Sequence, residues 1–216
     1  MNPPTWDELY RTGESFWESP HPICQKLIDF AATNQKGNRT VLDLGCGNGR
    51  HLSLLASKWQ HVTGLDNSRQ GLLQARQVIQ QDRDANVCLV LGDMVHLPFS
   101  NSSFDSLLST HVIYHNPMAL IRQAIAEIFR VLRPGGVAAL TFQSVRSWRY
   151  GYGVPLEPNT FIPDAGLDAG VPHHYFDAVE LMIELRNFTL WSLELEESRN
   201  TEGHRSSHWQ VILEKP

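Results

Sequence analysis

Cysteine is scarce in this chain. Cys24, Cys46 and Cys88 are the three in 216 residues; they are odd in number, widely separated and form no C-x-x-C pair. That spacing argues against a disulfide framework and a structural zinc, and fits small buried thiols in a reducing compartment. Positive charge is also in deficit. Eighteen Lys and Arg against 23 Asp and Glu leave a formal charge of −5, which argues against a nucleic-acid partner, because phosphate neutralisation needs a basic face. Long apolar runs are missing, and the opening MNPPTWDELY has neither a basic n-region nor an apolar core. The expectation is a soluble, cytoplasmic protein with no membrane partner. Repeats and low-complexity tracts are likewise missing. With 42% hydrophobic residues, the chain is long enough to bury one good core, and a single domain over 1–216 is expected.

What is there centres on Val41-Leu42-Asp43-Leu44-Gly45-Cys46-Gly47-Asn48-Gly49-Arg50. Val41, Leu42 and Leu44 read as a buried strand. Gly45, Gly47 and Gly49 permit positive φ and let a ligand approach the backbone, and Leu52, Leu55, Ala56 and Trp59 recur at helical spacing behind them. The turn therefore ends at a helix N-terminus. A dinucleotide fingerprint wants G-x-G-x-x-G, whose third glycine would fall at position 50, where this chain has Arg50. Asp43, two residues before the first glycine, suits a cationic ligand group better than a pyrophosphate.

The run VLDLGCGNGR resembles motif I of the class I S-adenosylmethionine-dependent methyltransferases. The resemblance implies that the turn, including Gly45, Cys46, Gly47 and Gly49, lies under the methionine part of that cofactor, with Asp43 helping to hold its ammonium group. WDELYRTGESFWESP is similar to the opening of tellurite-resistance and thiopurine-type small-molecule methyltransferases, which places Tyr10, Arg11 and Trp17 near the cofactor pocket. The alternative for this aromatic-rich preface, residues 1–40, is a core-capping element.

His61 to Asp66 reads as a second strand, with Asp66 lying 21 residues after Gly45. A doubly wound unit places an acid there to accept from ribose hydroxyls, so Asp66 and the adjoining Asn67 are expected at an adenosine-bearing ligand. Val87 to Leu91 is a continuous apolar run, the pattern of a strand buried on both faces. It ends in Gly92-Asp93-Met94, where a carboxylate can accept from an adenine amino group and a thioether can pack on the ring. Asn116 and Pro117 read as N-cap and N1 of a helix carrying Leu120, Ile121, Ala124, Ile125, Ile128 and Leu132, stopped by Arg133-Pro134-Gly135-Gly136. The segment from Phe104 to Phe142 resembles the region from motif IV through the LRPGG turn of the ubiquinone-biosynthesis-like methyltransferases.

Residues 109–115 fall at the end of the fourth strand, beside the switch point where doubly wound sheets bind ligands. Ser109, Thr110 and His111 are expected at the cofactor, with Tyr114 and His115 on the acceptor side. His111 and His115 are spaced i, i+4, but no H-E-x-x-H accompanies them, and no metal is expected. Residues 145–175 are rich in Pro and Gly and read as a loop or lid without regular elements. His173 and His174 follow as further acceptor-side candidates. Asp177 and Glu180 form a D-x-x-E box, with a Phe176 to Leu181 staple, opening a helix. The remaining strands are Phe188 to Glu194 and His208 to Glu214, the second read as an edge strand.

The fold expected is α/β, Rossmann-like and doubly wound, with a seven-stranded, mostly parallel sheet and an antiparallel last strand. Within it 1–40 is a helical cap, 41–144 the cofactor core, 145–175 the lid and 176–216 a C-terminal helix and strand hairpin. The activity implied is methyl transfer from S-adenosylmethionine to a small-molecule acceptor. An NAD-dependent oxidoreductase and a non-catalytic S-adenosylmethionine-binding partner protein are the alternatives.

Overall fold

The computed structural model describes residues 5–12, 19–34, 39–80, 86–199 and 203–216. Trp17, expected near the cofactor pocket, lies outside them. Helices α1 (Trp6–Thr12) and α2 (Pro22–Asn34) precede β1 (Thr40–Leu44), α3 (Leu52–Ala56), β2 (His61–Asp66), α4 (Arg69–Ile79) and β3 (Val87–Leu91). Then come β4 (Phe104–Ser109), α5 (Met118–Val131) and β5 (Leu132–Gln143), followed by short strands β6 (Val154–Glu157), β7 (Thr160–Ile162) and β8 (His173–His174). Helix α6 (Ala178–Glu184) and strands β9 (Thr189–Arg199) and β10 (Arg205–Glu214) close the chain.

The main sheet has seven strands in the order β3-β2-β1-β4-β5-β10-β9, parallel except for β10, which runs antiparallel to both neighbours. The sequence expectation of a seven-stranded, mostly parallel sheet holds. Its two faces are separated by the period of two along each strand. Val41, Val62, Leu108 and Ile212 face one way, onto Ile23 and Leu27 of α2, Leu52 and Leu55 of α3 and Ala75 of α4. Leu42, Leu65, Leu107 and Val211 face the other, onto Ile121, Ile125 and Ile128 of α5 and Leu181 of α6. With both faces covered, the residues that the central strands turn to either layer are mainly apolar, as a parallel sheet favours.

Five local expectations change. Strand β3 sits at the sheet edge rather than inside, so its apolar run is half covered; Leu91 is 59% exposed and Cys88 is exposed rather than buried. At the opposite edge the outer strand is β9, while β10 is enclosed between it and β5. Helix α5 begins at Met118 without an Asn116 cap; the Met118 amide donates instead to Glu157 Oε1 at 2.6 Å. The LRPGG turn is continuous with β5, because Leu132 pairs with Phe104 before the register shifts. Residues 145–175 do contain regular structure: β6, β7 and β8 form a three-stranded antiparallel sheet, which tightens at Asn159, a positive-φ turn residue. Proline is tolerated at position 155 because β6 is a short edge strand, and Pro163 falls just past the end of β7.

Candidate active site

A cavity of about 450 Å³ opens at the carboxyl ends of β1, β2, β4 and β5. The glycine turn forms its floor. The amides of Gly45 and Cys46 both donate to Leu65 O, at 2.7 and 3.0 Å, which folds the turn back onto β2. Gly45 and Gly47 have φ of 75° and 51°, and any Cβ on Gly47 would overlap the Tyr10 hydroxyl. Glycine is therefore demanded here by both backbone and space. Tyr10 reaches the turn because α1 is docked on the start of α4: Asp7 Oδ1 accepts from Ser68 Oγ at 3.1 Å and from the Gln70 amide at 2.9 Å, and Gln74 Nε2 donates to Tyr10 O.

Asp66 stands at the far side of the turn. Its Oδ2 accepts from the Gly47 amide and its Oδ1 from the Ser68 amide, both at 2.8 Å. Burial pushes its carboxyl up to about 6, against the lowering effect of those two amides. Each oxygen keeps a second acceptor site, so the pair can still receive two adjacent hydroxyls. Asp43 is buried beneath the turn, and neither of its oxygens has a hydrogen-bond partner. The His51 Nε2 accepts from the His21 amide at 3.2 Å, which leaves the ring proton on Nδ1, 3.4 Å from Asp43 Oδ2. A buried carboxylate without hydrogen bonds strongly favours positive charge nearby. A glycine turn open to a ligand, an acid able to take two hydroxyls and a buried carboxylate behind the turn together fit a ligand with a ribose and a cationic end.

The other wall is built at the end of β4. His111 has φ of 58°, a left-handed conformation that costs a non-glycine residue about 1–3 kcal/mol. It is held there by its amide, which donates to Thr141 Oγ1 of β5 at 2.8 Å. Strain of this kind gathers at functional sites, where surrounding structure enforces it. The Tyr114 hydroxyl lies 2.9 Å from His111 Nδ1 and 3.3 Å from His208 Nε2. The His115 ring meets Trp6 and His173 edge-on, at centroid distances of 5.1 and 4.4 Å. From the 145–175 excursion, Asp168 sits 3.0 Å from His173 Nε2 and 2.9 Å from Arg149. Burial, then neighbouring histidines and Arg50, holds His111 well below the usual imidazole range, and burial lowers His208 to about 4. These imidazoles are neutral at neutral pH and able to take up a proton.

Of the residues expected from the sequence, Tyr10, Gly45, Cys46, Gly47, Asp66, Asn67, Met94, Thr110, His111, Tyr114, His115 and His173 line the cavity. Others do not. Arg11 points outward and pairs with Asp7. Gly49 serves packing, since a Cβ there would come 2.9 Å from Ala75 Cβ of α4. The exposed Asp93 closes its own turn by accepting from the Val95 amide, and Gly92 and Met94 face the cavity instead. Ser109 is buried and donates to Leu44 O, tying β4 to β1. His174 turns away from the cavity, with Nδ1 2.7 Å from Thr160 Oγ1 and Nε2 3.4 Å from Glu180 Oε2. Asp43 acts from behind the turn rather than at its surface. The i, i+4 histidines diverge to different partners, and no group of three or more His, Cys, Asp or Glu among the described residues has metal-holding geometry.

Sequence reading passed over Arg50, His51, Asp168 and His208. Arg50 Nη2 donates to Thr110 Oγ1 at 3.0 Å, so the residue that replaces the third glycine becomes part of the wall. His51 follows it directly, and that adjacency was a usable signal. His208 had none, because only the placement of β10 beside β5 brings it to this end of the sheet.

Residues 41–136 match the family model described as a methyltransferase domain. The chain is 32% identical over 157 residues to a malonyl-[acyl-carrier protein] O-methyltransferase of Erwinia billingiae, covering 68% of this chain and 59% of the relative. It is 29% identical over 145 residues to a probable S-adenosylmethionine-dependent methyltransferase of Mycolicibacterium smegmatis, covering 67% and 52%. The chain thus spans between half and three fifths of these relatives' lengths. Among solved structures, a methyltransferase described as S-adenosylmethionine-dependent from Methanosarcina mazei superposes with a TM-score of 0.72 at 23% identity, over 91% of this chain and 98% of that one.

Proposed function

We propose, for a chain that belongs to the class I S-adenosylmethionine-dependent methyltransferases, that it catalyses methyl transfer from S-adenosylmethionine to a small-molecule acceptor. The observation that carries this reading is the cavity itself: a glycine turn and Asp66 on one side, and a strained histidine with Tyr114 on the other, share one space. In this reading the turn from Gly45 to Gly47 receives the amino-acid end of the cofactor, with the Asp43 charge behind it. Asp66 and Asn67 receive the ribose, Gly92 and Met94 adjoin the adenine, and Thr110 and His111 border the transfer point. Trp6 and Tyr10 on α1 cover the ligand and keep water out.

The cofactor supplies a methyl group already activated by its sulfonium. The chain's own work is to align the acceptor, exclude water and, for a nucleophile that carries a proton, take that proton up. Trp6, Tyr114 and His115 form an aromatic wall for alignment, and the neutral imidazoles provide the proton sites.

Isothermal calorimetry tests the reading. S-adenosylhomocysteine should bind and NAD should not. Asp66→Ala should weaken that binding by about 1.5–3 kcal/mol for each charged hydrogen bond lost. Measurable NAD affinity with none for S-adenosylhomocysteine would overturn the proposal.

A further inference from the structure

Two large apolar side chains stand exposed at the mouth of the cavity. Trp148 is 40% and Leu167 50% exposed, and both line it. Single apolar residues scattered on a surface need no explanation, whereas two that border one ligand cavity mark a place where an apolar molecule rests. They come from different arms of the 145–175 excursion, and an ion pair joins those arms one residue further along each. Arg149 Nη1 reaches both oxygens of Asp168, at 2.9 and 3.2 Å. Gly166, at φ 100°, completes the junction, since a Cβ there would come 2.6 Å from Arg149 Nη2.

Trp148 is fixed from other directions as well. Its amide donates to Arg205 O at 3.0 Å, its ring stacks on His204 at a centroid distance of 4.4 Å, and the Arg149 guanidinium carbon lies 5.4 Å from the ring centre. An exposed indole held this way has little freedom left to lose when a ligand packs on it. Deeper in the cavity the lining is again aromatic: Trp6 meets His115 edge-on, and the Tyr114 ring lies 4.4 Å from that of His115. Asp168 connects the two zones. Its Oδ2 is 3.0 Å from His173 Nε2, and the His173 ring meets His115 edge-on.

We propose that Trp148 and Leu167 form the acceptor-recognition rim of this cavity, and that the methyl acceptor is a small molecule with a flat aromatic body. The proposal rests on the methyl-transfer reading above and names the acceptor class for it. The body packs on the rim, and its reactive atom reaches inward to the wall of Tyr114 and His115. Flat rings suit such a site because offset and edge-on contacts with Trp and Tyr add to the gain from burying apolar area. A small polar acceptor would leave both exposed side chains uncovered.

Calorimetry on the full chain, saturated with S-adenosylhomocysteine, tests the rim with 2-naphthol as the flat probe and decahydro-2-naphthol as its puckered counterpart. The flat probe is expected to bind about tenfold more tightly. Trp148→Ala should weaken it about tenfold and Leu167→Ala about threefold, at unchanged S-adenosylhomocysteine affinity. Val154→Ala truncates an exposed apolar residue of the same excursion outside the cavity lining and should change nothing. Should thermal melts show Trp148→Ala unfolded, Trp148→Leu, which keeps apolar bulk without the ring, carries the same expectation. No binding of 2-naphthol, equal or tighter binding of the puckered probe, unaltered affinity in both rim variants, or an equal loss in Val154→Ala overturns the rim. With S-adenosylmethionine instead, 2-naphthol, 2-naphthylamine and naphthalene-2-thiol present one body with three nucleophiles. At least one should be methylated with a higher kcat/KM than ethanol, methylamine or 2-mercaptoethanol, its aliphatic equivalent. Methylation of none, or preference for the aliphatic compound, overturns the acceptor class. Failure of S-adenosylhomocysteine to bind the wild type would instead sink the methyl-transfer reading itself.

Discussion

Glu157 accepts the Met118 amide at 2.6 Å, so a side chain from the small sheet in the 145–175 excursion caps the helix that supports the acceptor wall. The same Oε1 lies 3.2 Å from Thr160 Oγ1, which fixes the carboxylate in place. Replacing such a cap costs a protein about 0.5–2 kcal/mol. Glu157→Ala should lower the thermal midpoint accordingly, and Glu157→Gln, which retains an acceptor, should recover most of the loss. Equal midpoints in all three proteins would show that the excursion does not brace α5.

Helix α1 is tied to the body chiefly through Asp7, whose carboxyl is held below the usual range by the Gln70 amide. None of its residues is fully buried. If Trp6 and Tyr10 cover the cofactor, amide exchange across residues 5–12 should slow when S-adenosylhomocysteine is added. Asp7→Ala should weaken affinity for that ligand with little change in thermal stability. Identical exchange with and without ligand would make the helix a passive cover.

The neighbouring His173 and His174 should separate cleanly on substitution. His174 is fully buried and bonded to Thr160, so truncating it removes a buried hydrogen bond and opens a cavity, a loss of about 1–3 kcal/mol. His174→Ala should therefore lower stability, with any fall in methyl transfer following it. His173→Ala should reduce transfer at unchanged S-adenosylhomocysteine affinity. Thermal melts, calorimetry and turnover measured on both variants decide the matter.

Acidification should destabilise the folded chain from about pH 6.5 downward. His21 and His208 are depressed to about 4 by burial, and His111 and His115 fall well below their usual value. Between those values and the unfolded imidazole range, the unfolded chain binds more protons, so stability rises with pH there and is lost as pH falls. Asp66, raised to about 6, acts in the opposite sense between about 4 and 6, but is one group against four. Thermal midpoints across pH 4.5 to 7 should show a positive slope that His208→Gln reduces; a flat profile would contradict the buried neutral state of these rings.

Much of this molecule is legible along the chain because its rules are local. Alternation in VLDLG sends Val41 and Leu42 to opposite layers, three spaced glycines announce a turn open to ligand, and Asp66 falls at the end of the next strand by a count of residues. Ser68 and Asp177 cap their helices from their own side chains, accepting from Gly71 and Glu180 amides. What tertiary structure decided was which neighbours complete each local pattern. An apolar run such as Val87–Leu91 has the same sequence signature at a sheet centre and at its edge, and only strand order distinguishes them. Asn116 was a competent cap, yet Glu157, 39 residues beyond Met118, took that amide. The acceptor wall is the fullest case: Arg50, His111, His208 and the Asp168–His173 pair come from four segments, and their proximity arises where β4 and β5 end and β10 begins, beneath the excursion. Side-chain chemistry is written residue by residue, but a site made of several elements exists only once the sheet order has brought their ends to one place.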